Sequence, residues 1–228
     1  MIPRWAPAAP SLDPDGRWLV VRFAAPHATA TWALIGGGLG QARAVAWHRV
    51  VEGELAPGVD AAALLAERMT AAGLGDAVGL VTGRRLDRFC DERAEIDDAR
   101  ARCVATVGLG NAVRAGDPPG PLAVGTINLL VQVGAPLAAP ALLEALAVAS
   151  EARTAAVLDA GVPSRRSPGL ATGTGTDCAV IAAPVLDGGD GARYAGTHTA
   201  IGAAIGAAVY RAVRRGAEAW KEEQACPA

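Results

Sequence analysis

Residues 122–133 read as a β-strand of period two, and a long run of small and apolar residues follows almost directly. Ile127, Leu129, Val131 and Val133 fall on one face, and Thr126, Asn128, Leu130 and Gln132 on the other. A strand with polar residues on its second face is either solvated there or lines a site. Pro136 and Pro140 then lead into a predicted helix over residues 140–160, ended by Gly161. Its stripe of Leu142, Leu146, Ala149, Ala152 and Ala156 is small enough to pack closely on a sheet. A strand joined to such a helix restricts the chain to folds in which helices cover a sheet.

Further strands are predicted at 18–23, 32–35, 44–51, 77–82, 102–107 and 178–183, and further helices at 60–72 and 199–219. Residues 1–16, rich in Pro, Ala and Asp, are expected to lie loosely, and 221–228 to form a tail. Residues 17–220 then make one domain of α/β class (α+β type), a mixed sheet under long helices, for which an αββα layering is one arrangement. Half of the 228 residues (51%) are hydrophobic, enough for a sizeable core. The formal net charge of −2 shows no basic excess of the kind nucleic acid selects. No apolar run reaches the roughly 18 residues a membrane span needs, and no signal-type core follows Met1. A cytoplasmic protein without nucleic-acid or membrane partners is the expectation, with four reduced thiols at Cys90, Cys103, Cys178 and Cys226.

Ala171-Thr172-Gly173-Thr174-Gly175-Thr176-Asp177 is the most unusual segment. Alternating Gly and Thr before a strand gives a backbone open to unusual dihedrals and several N–H and hydroxyl donors. It lacks the Lys and the helix of a phosphate-binding P-loop. A tight structural turn capped by Asp177 is the plain alternative. Gly36 to Gly40 does not fit the dinucleotide fingerprint, whose third glycine would fall on Gln41, so it reads as a turn or a ligand-facing loop. Thr126 shares a strand face with Asn128, an amide able to donate to a developing oxyanion. Glu151 and Arg153 stand two apart in the long helix, too far round it to pair, and are either solvated or directed to a polar site. His198 precedes the last helix, where the dipole disfavours its protonated form. It suits a base, a ligand or a local hydrogen bond. His27 and His48 have no recognisable context.

Together these segments resemble the adenosylcobinamide amidohydrolase (CbiZ) family of corrinoid salvage. The resemblance rests on Gly36 to Gly40, residues 105–112 (Ala-Thr-Val-Gly-Leu-Gly-Asn-Ala), Gly125-Thr126-Ile127-Asn128, Glu151-Ala152-Arg153-Thr154, residues 171–177 and residues 194–206. It implies hydrolysis of the amide joining a corrin propionyl side chain to aminopropanol, with adenosylcobinamide as substrate and no cofactor or metal. Where the family tends to carry Lys, this chain has Arg153, which cannot carry a proton and suits an electrostatic role. A fainter similarity to self-processing aminopeptidases and ornithine acyltransferases implies that Thr126 becomes an N-terminal nucleophile. Asn111 or backbone amides would then hold the oxyanion, with Asp177 orienting the site and His198 or Asp177 as base in an uncleaved chain. Gly37, Gly38, Asn128, Glu151, Arg153, Thr174 and Thr176 are the expected substrate-binding residues. Rival readings are a corrinoid-binding module with cobalt on His198 or His48, and an amide hydrolase or peptidase of other specificity on the same scaffold. No pair of histidines has metal-ligand spacing. A homo-oligomer stays open.

Overall fold

In the computed structural model, residues 5, 7–51, 53–56, 58–120, 124–186 and 191–225 are described. Cys226 and residues 121–123, which include the start of the strand expected at 122–133, lie outside them. The elements run β1 (Ser11–Leu12), β2 (Trp18–Thr31), β3 (Gly38–Arg49), α1 (Ala61–Ala71), β4 (Ala77–Thr82), β5 (Cys90–Ile96) and β6 (Ala99–Val107). Then follow β7 (Ala112–Val113), β8 (Ile127–Val133), α2 (Ala139–Asp159), β9 (Gly173–Thr174), β10 (Cys178–Pro184) and α3 (Ala200–Ala225). Eight strands make one mixed sheet, in the order β4-β3-β2-β10-β8-β6-β5 with β1 on β2, while β7 and β9 form a separate ribbon. β10 runs parallel to β8, and β3 parallel to β4; the other pairs are antiparallel.

Local chemistry sets the ends of the helices. The Asp60 carboxylate accepts the amides of Ala62 and Ala63 at 2.9 and 3.1 Å to start α1. Gly73 beyond it and Gly161 beyond α2 hold φ of +67° and +69°, the left-handed turn that stops a helix. Thr199 caps α3, its hydroxyl accepting the Gly202 amide at 3.0 Å.

The sheet folds back on itself. Asn128 on β8 donates from Nδ2 to the Val81 carbonyl of β4 at 2.8 Å, although three strands separate β8 from β4 in the order. Alternate residues of each strand enter different cores. Ile127, Leu129, Val131 and Val133 pack under α2 and α3, in a cluster with Ala145, Ala149, Ile205 and Val209. Leu130 and its register partner Val180 turn the other way, into a core with Leu19, Val45, Trp47 and Leu80 from the opposing half of the sheet. Ala44 and Ala46 pack outward against Leu65 and Met69 of α1. The layers are helix, sheet, sheet, helix, the αββα arrangement. Close contact needs small residues: a Cβ on Gly216 of α3 would stand 2.8 Å from Val107 Cβ.

Several expectations need correcting. Of the two readings of the second face of β8, solvation drops out: Asn128, Leu130 and Gln132 are sealed between the sheet halves. The strand expected at 18–23 runs on to Thr31, whereas 32–35 is a non-strand turn with one bridge, Ile35 to Gly79. β5 went unforeseen because one of its faces carries only the charged residues Asp91, Arg93 and Glu95. Within the first sixteen residues, β1 pairs with β2, and the Ala8 carbonyl accepts from the buried Arg102 at 2.7 Å. Arg102 also binds Asp91 and Gln132, at 2.7 and 3.0 Å. No helix among the described residues is long and apolar enough to cross a membrane.

His48, 2% exposed, tilts against Trp18 with ring centroids 4.4 Å apart, and its Nε2 takes a hydrogen bond from Arg68 at 3.0 Å. That arrangement requires the neutral ring, so its accepting lone pair is not free for cobalt. Burial first, then the Arg68 and Arg17 charges, push its pKa down to about 4. The unfolded chain takes up this proton near the ordinary value of 6.5. The folding free energy tied to neutral His48 is thus whole above that value and drains away as pH drops toward 4. We expect urea unfolding to show the chain losing on the order of 2 kcal/mol through this group between pH 7 and pH 4.5. In His48→Gln that part of the pH dependence should vanish; an unchanged profile would reject the assignment.

Candidate active site

Asp177 sits at the mouth of β10, immediately before Cys178, which pairs with Asn128 of the parallel neighbour β8. The register therefore brings the carboxyl to the start of β8, where Oδ1 accepts the Ile127 amide at 2.9 Å. Oδ2 takes the Thr174 amide at 2.8 Å, and the Thr174 hydroxyl donates to Oδ1. From α2, Arg153 Nη1 reaches Oδ2 at 3.4 Å. Burial pushes this carboxyl above the usual carboxylate range, while Arg153, the Thr174 hydroxyl and the two amides pull against that shift. One side chain thus joins β8, the Gly/Thr loop and α2.

Thr126 lies at the entrance to β8, just outside the strand that sequence periodicity had placed it in. Thr126 is 7% exposed, and its hydroxyl donates to the Thr176 carbonyl at 2.9 Å, with Asn128 Oδ1 at 3.4 Å. Thr176 answers across the same gap: its hydroxyl donates to the Gly125 carbonyl at 3.3 Å. Gly125 has φ of +146°, and a Cβ there would stand 2.6 Å from the Asn111 nitrogen and 2.7 Å from that of Gly110. The Gly110 and Asn111 amides accordingly press against the residue before Thr126. Asn111 is buried, its carbonyl accepting the Gly175 amide at 3.2 Å, yet its Nδ2 has no hydrogen-bond partner. An orphaned buried donor costs stability, and an oxyanion would satisfy it. Arg153 Nε is a second such atom.

The glycines of the loop serve contact, not dihedral freedom. Neither Gly173 nor Gly175 has a positive φ. A Cβ on Gly173 would run into the Asp177 carboxylate, and one on Gly175 would come 2.8 Å from Asn111 Nδ2.

Thr126, Asn111, Asn128, Arg153, Thr174, Thr176 and Asp177 are thereby brought together. Gly37 lies exposed on the β2–β3 connection and Gly38 exposed at the start of β3; Trp32 of that connection donates its indole N–H to the Asp177 carbonyl at 2.7 Å. Asn128 spends one N–H on Val81, which locks it between the sheet halves and weakens its case as an oxyanion donor. Glu151 is exposed on α2. His198 does not join the cluster. It is exposed beside Tyr194, on the loop whose Ala195 amide donates to Glu144 at 2.7 Å. Glu144 precedes Arg153 by nine residues, about 13 Å along the helix, so His198 sits toward the other end of α2. Trp32 and Gly110 were missed by sequence reasoning: Trp32 showed only as a strand residue, and Gly110 only as part of a motif. Two open surface hollows, of about 380 and 560 Å³, lie over Arg93, Ala94 and Glu95, away from this chemistry. Among the described residues, no three His, Cys, Asp or Glu side chains gather as a metal-binding set.

A family model described as adenosylcobinamide amidohydrolase matches residues 11–225. Uncharacterized protein MJ1613 of Methanocaldococcus jannaschii is 31% identical over 144 residues, 54% of this chain and 55% of that protein. The chain thus matches about half the length of this curated relative. Among solved structures, a Burkholderia sp. β-aminopeptidase aligns at 17% identity over 87% of this chain and 78% of that one, with a TM-score of 0.40. The PH0078 protein from Pyrococcus horikoshii OT3 aligns at 12% identity over 93% and 80%, with a TM-score of 0.44. Likenesses this distant carry no functional weight.

The close approach at Gly125 is measurable. Gly125→Ala should cost about 1–3 kcal/mol for its backbone conformation, and more because fixed backbone nitrogens block the new methyl. Gly38→Ala, at φ of +97° but with open space around it, isolates the first effect. Equal losses in urea unfolding would show that the packing against Gly110 and Asn111 is unimportant.

Proposed function

This chain belongs to the adenosylcobinamide amidohydrolase family, and from that premise we propose that it hydrolyses the aminopropanol amide of adenosylcobinamide to give adenosylcobyric acid in corrinoid salvage. The observation that carries this reading is the meeting of a hydroxyl (Thr126), an orphaned amide donor (Asn111) and a buried carboxyl (Asp177) at one strand entrance. Amide hydrolysis needs a nucleophile, a proton acceptor and donors for the oxyanion. The first and the last are side chains of this cluster.

The proton acceptor comes from the chain itself. Thr176 polarises the Gly125 carbonyl, and the Thr126 hydroxyl lies on the far side of that same peptide bond. Attack of Thr126 Oγ1 on this carbonyl moves the acyl group from nitrogen to oxygen, and water then cleaves the ester. The products are a Gly125 carboxylate and a free α-amine on Thr126. That amine takes the hydroxyl proton as Thr126 attacks the corrinoid amide. It returns the proton to the departing aminopropanol nitrogen, and then activates the water that releases the carboxylate product. Asn111 Nδ2 and the neighbouring backbone amides face the oxyanion. Asp177 and Arg153 position the β8 entrance through the Ile127 amide. Cleavage also withdraws Gly125 from above the nucleophile, which opens a hydroxyl otherwise almost buried.

Purified protein incubated with adenosylcobinamide should release aminopropanol. Thr126→Ala should abolish release, and Asn111→Ala should lower kcat about 100-fold, the loss typical of one oxyanion donor. Intact-mass spectrometry should show two fragments divided at 125/126. A single active species of 22.9 kDa would remove the self-cleavage step and leave Asp177 as the nearest base to an intact Thr126. Full activity in Thr126→Ala would reject the site.

A further inference from the structure

Trp32 is 47% exposed, although its indole N–H is fixed to the Asp177 carbonyl. One directional bond therefore holds a broad aromatic face at the edge of the catalytic cluster while leaving it open. Its neighbours continue the surface. Leu34 and Leu39 are each more than half exposed, and Val124, two residues before Thr126, is 75% exposed. Leu39 pairs with Ala30 across β2 and β3, on the face that Trp32 prolongs. From Phe23 to Ala42 there is no Asp, Glu, Lys or Arg. Gly36, Gly37, Gly38 and Gly40 add stretches without side chains, and nothing stands within 4 Å of a Cβ position at Gly38. Isolated exposed apolar residues are ordinary, but several of them on the segments that carry a reaction centre mark a binding surface.

We propose that Trp32, Leu34, Leu39 and Val124 form a shelf that seats the macrocyclic body of the corrinoid, with Trp32 as the specificity-determining residue. The inference rests on the function proposed above and deepens it. The reacting amide is short and resembles many others, so discrimination must come from the remote, bulky part of the substrate. A broad, mostly apolar ring system bearing neutral amides matches an aromatic plane, aliphatic side chains and exposed glycine backbone on a segment, 23–42, without charged residues. Trp32 then has two attachments: its ring faces the macrocycle, and its N–H is tied to the residue that positions Thr126. Binding on the shelf is thereby registered against the cleavage point.

The test is equilibrium dialysis of adenosylcobinamide against the wild type, Trp32→Ala, Trp32→Phe and Leu39→Ser, with aminopropanol release followed in parallel. Trp32→Ala should weaken binding at least tenfold, as truncation of a central aromatic contact does, and should act on KM more than on kcat. Leu39→Ser, which touches no catalytic hydrogen bond, should weaken binding about threefold or more. Trp32→Phe, which keeps a ring and loses the N–H, should bind within about threefold of wild type. Wild-type affinity in Trp32→Ala and Leu39→Ser would overturn the shelf even if hydrolysis proceeds. A Trp32→Phe loss equal to that of Trp32→Ala would also overturn it, by assigning the effect to the Asp177 bond. Binding losses as expected without any aminopropanol release by the wild type would uphold the shelf and reject the hydrolytic reading. No binding by the wild type would reject both.

Discussion

The carboxyl of Asp177 ties together parts of the chain that have no other reason to meet. Strand β8 must begin where the Ile127 amide finds an acceptor, and the Gly/Thr loop must curl so that Thr174 presents its amide and hydroxyl to the same group. Helix α2 must lie close enough for Arg153 to counter the buried charge. A carboxyl in that position is costly unless every one of these partners is in place. The parallel register of β8 and β10, the turn of the loop and the placement of the helix are thus coupled through one side chain, and Thr126 inherits its position from all three.

Backbone contact does comparable work on the other flank. Gly125, Gly173 and Gly175 each stand where a methyl group would meet a neighbour: a backbone nitrogen, the Asp177 carboxylate or the Asn111 amide. The glycines let three separate loops close to within van der Waals distance over Thr126. Orphaned polar atoms at Asn111 and Arg153 remain inside this closed shell. A structure optimised for stability alone would pair or replace them.

The sequence revealed the elements whose neighbours dictate their form. Strand β8 and helix α2 could be placed because alternation, two prolines and a terminal glycine all agree. β5 was hidden, since an edge strand whose Asp91, Arg93 and Glu95 share one face has no apolar signature there. The site segments stood out through their unusual glycine and threonine content. Which side chains within them converge did not. His198 and Glu151 had suitable chemistry, but nothing in local sequence says toward which end of α2 a following loop returns, or which face of a helix meets the site. Trp32 was legible as an apolar residue only; its bond to Asp177 spans 145 positions and depends on the complete sheet.

The order of the sheet has a bearing on timing. β10 occupies the slot between β2 and β8, pairing with residues 27–31 on one side and 128–132 on the other. Among the described strands it is the last in chain order, and long-range pairings of this kind form slowly. Until it inserts, Asp177 is absent from the β8 entrance, so the Ile127 and Thr174 amides of a nascent polypeptide lack their shared acceptor. Translation through residue 184 is therefore a built-in delay: the partners of Asp177 are gathered only by the closing of the sheet.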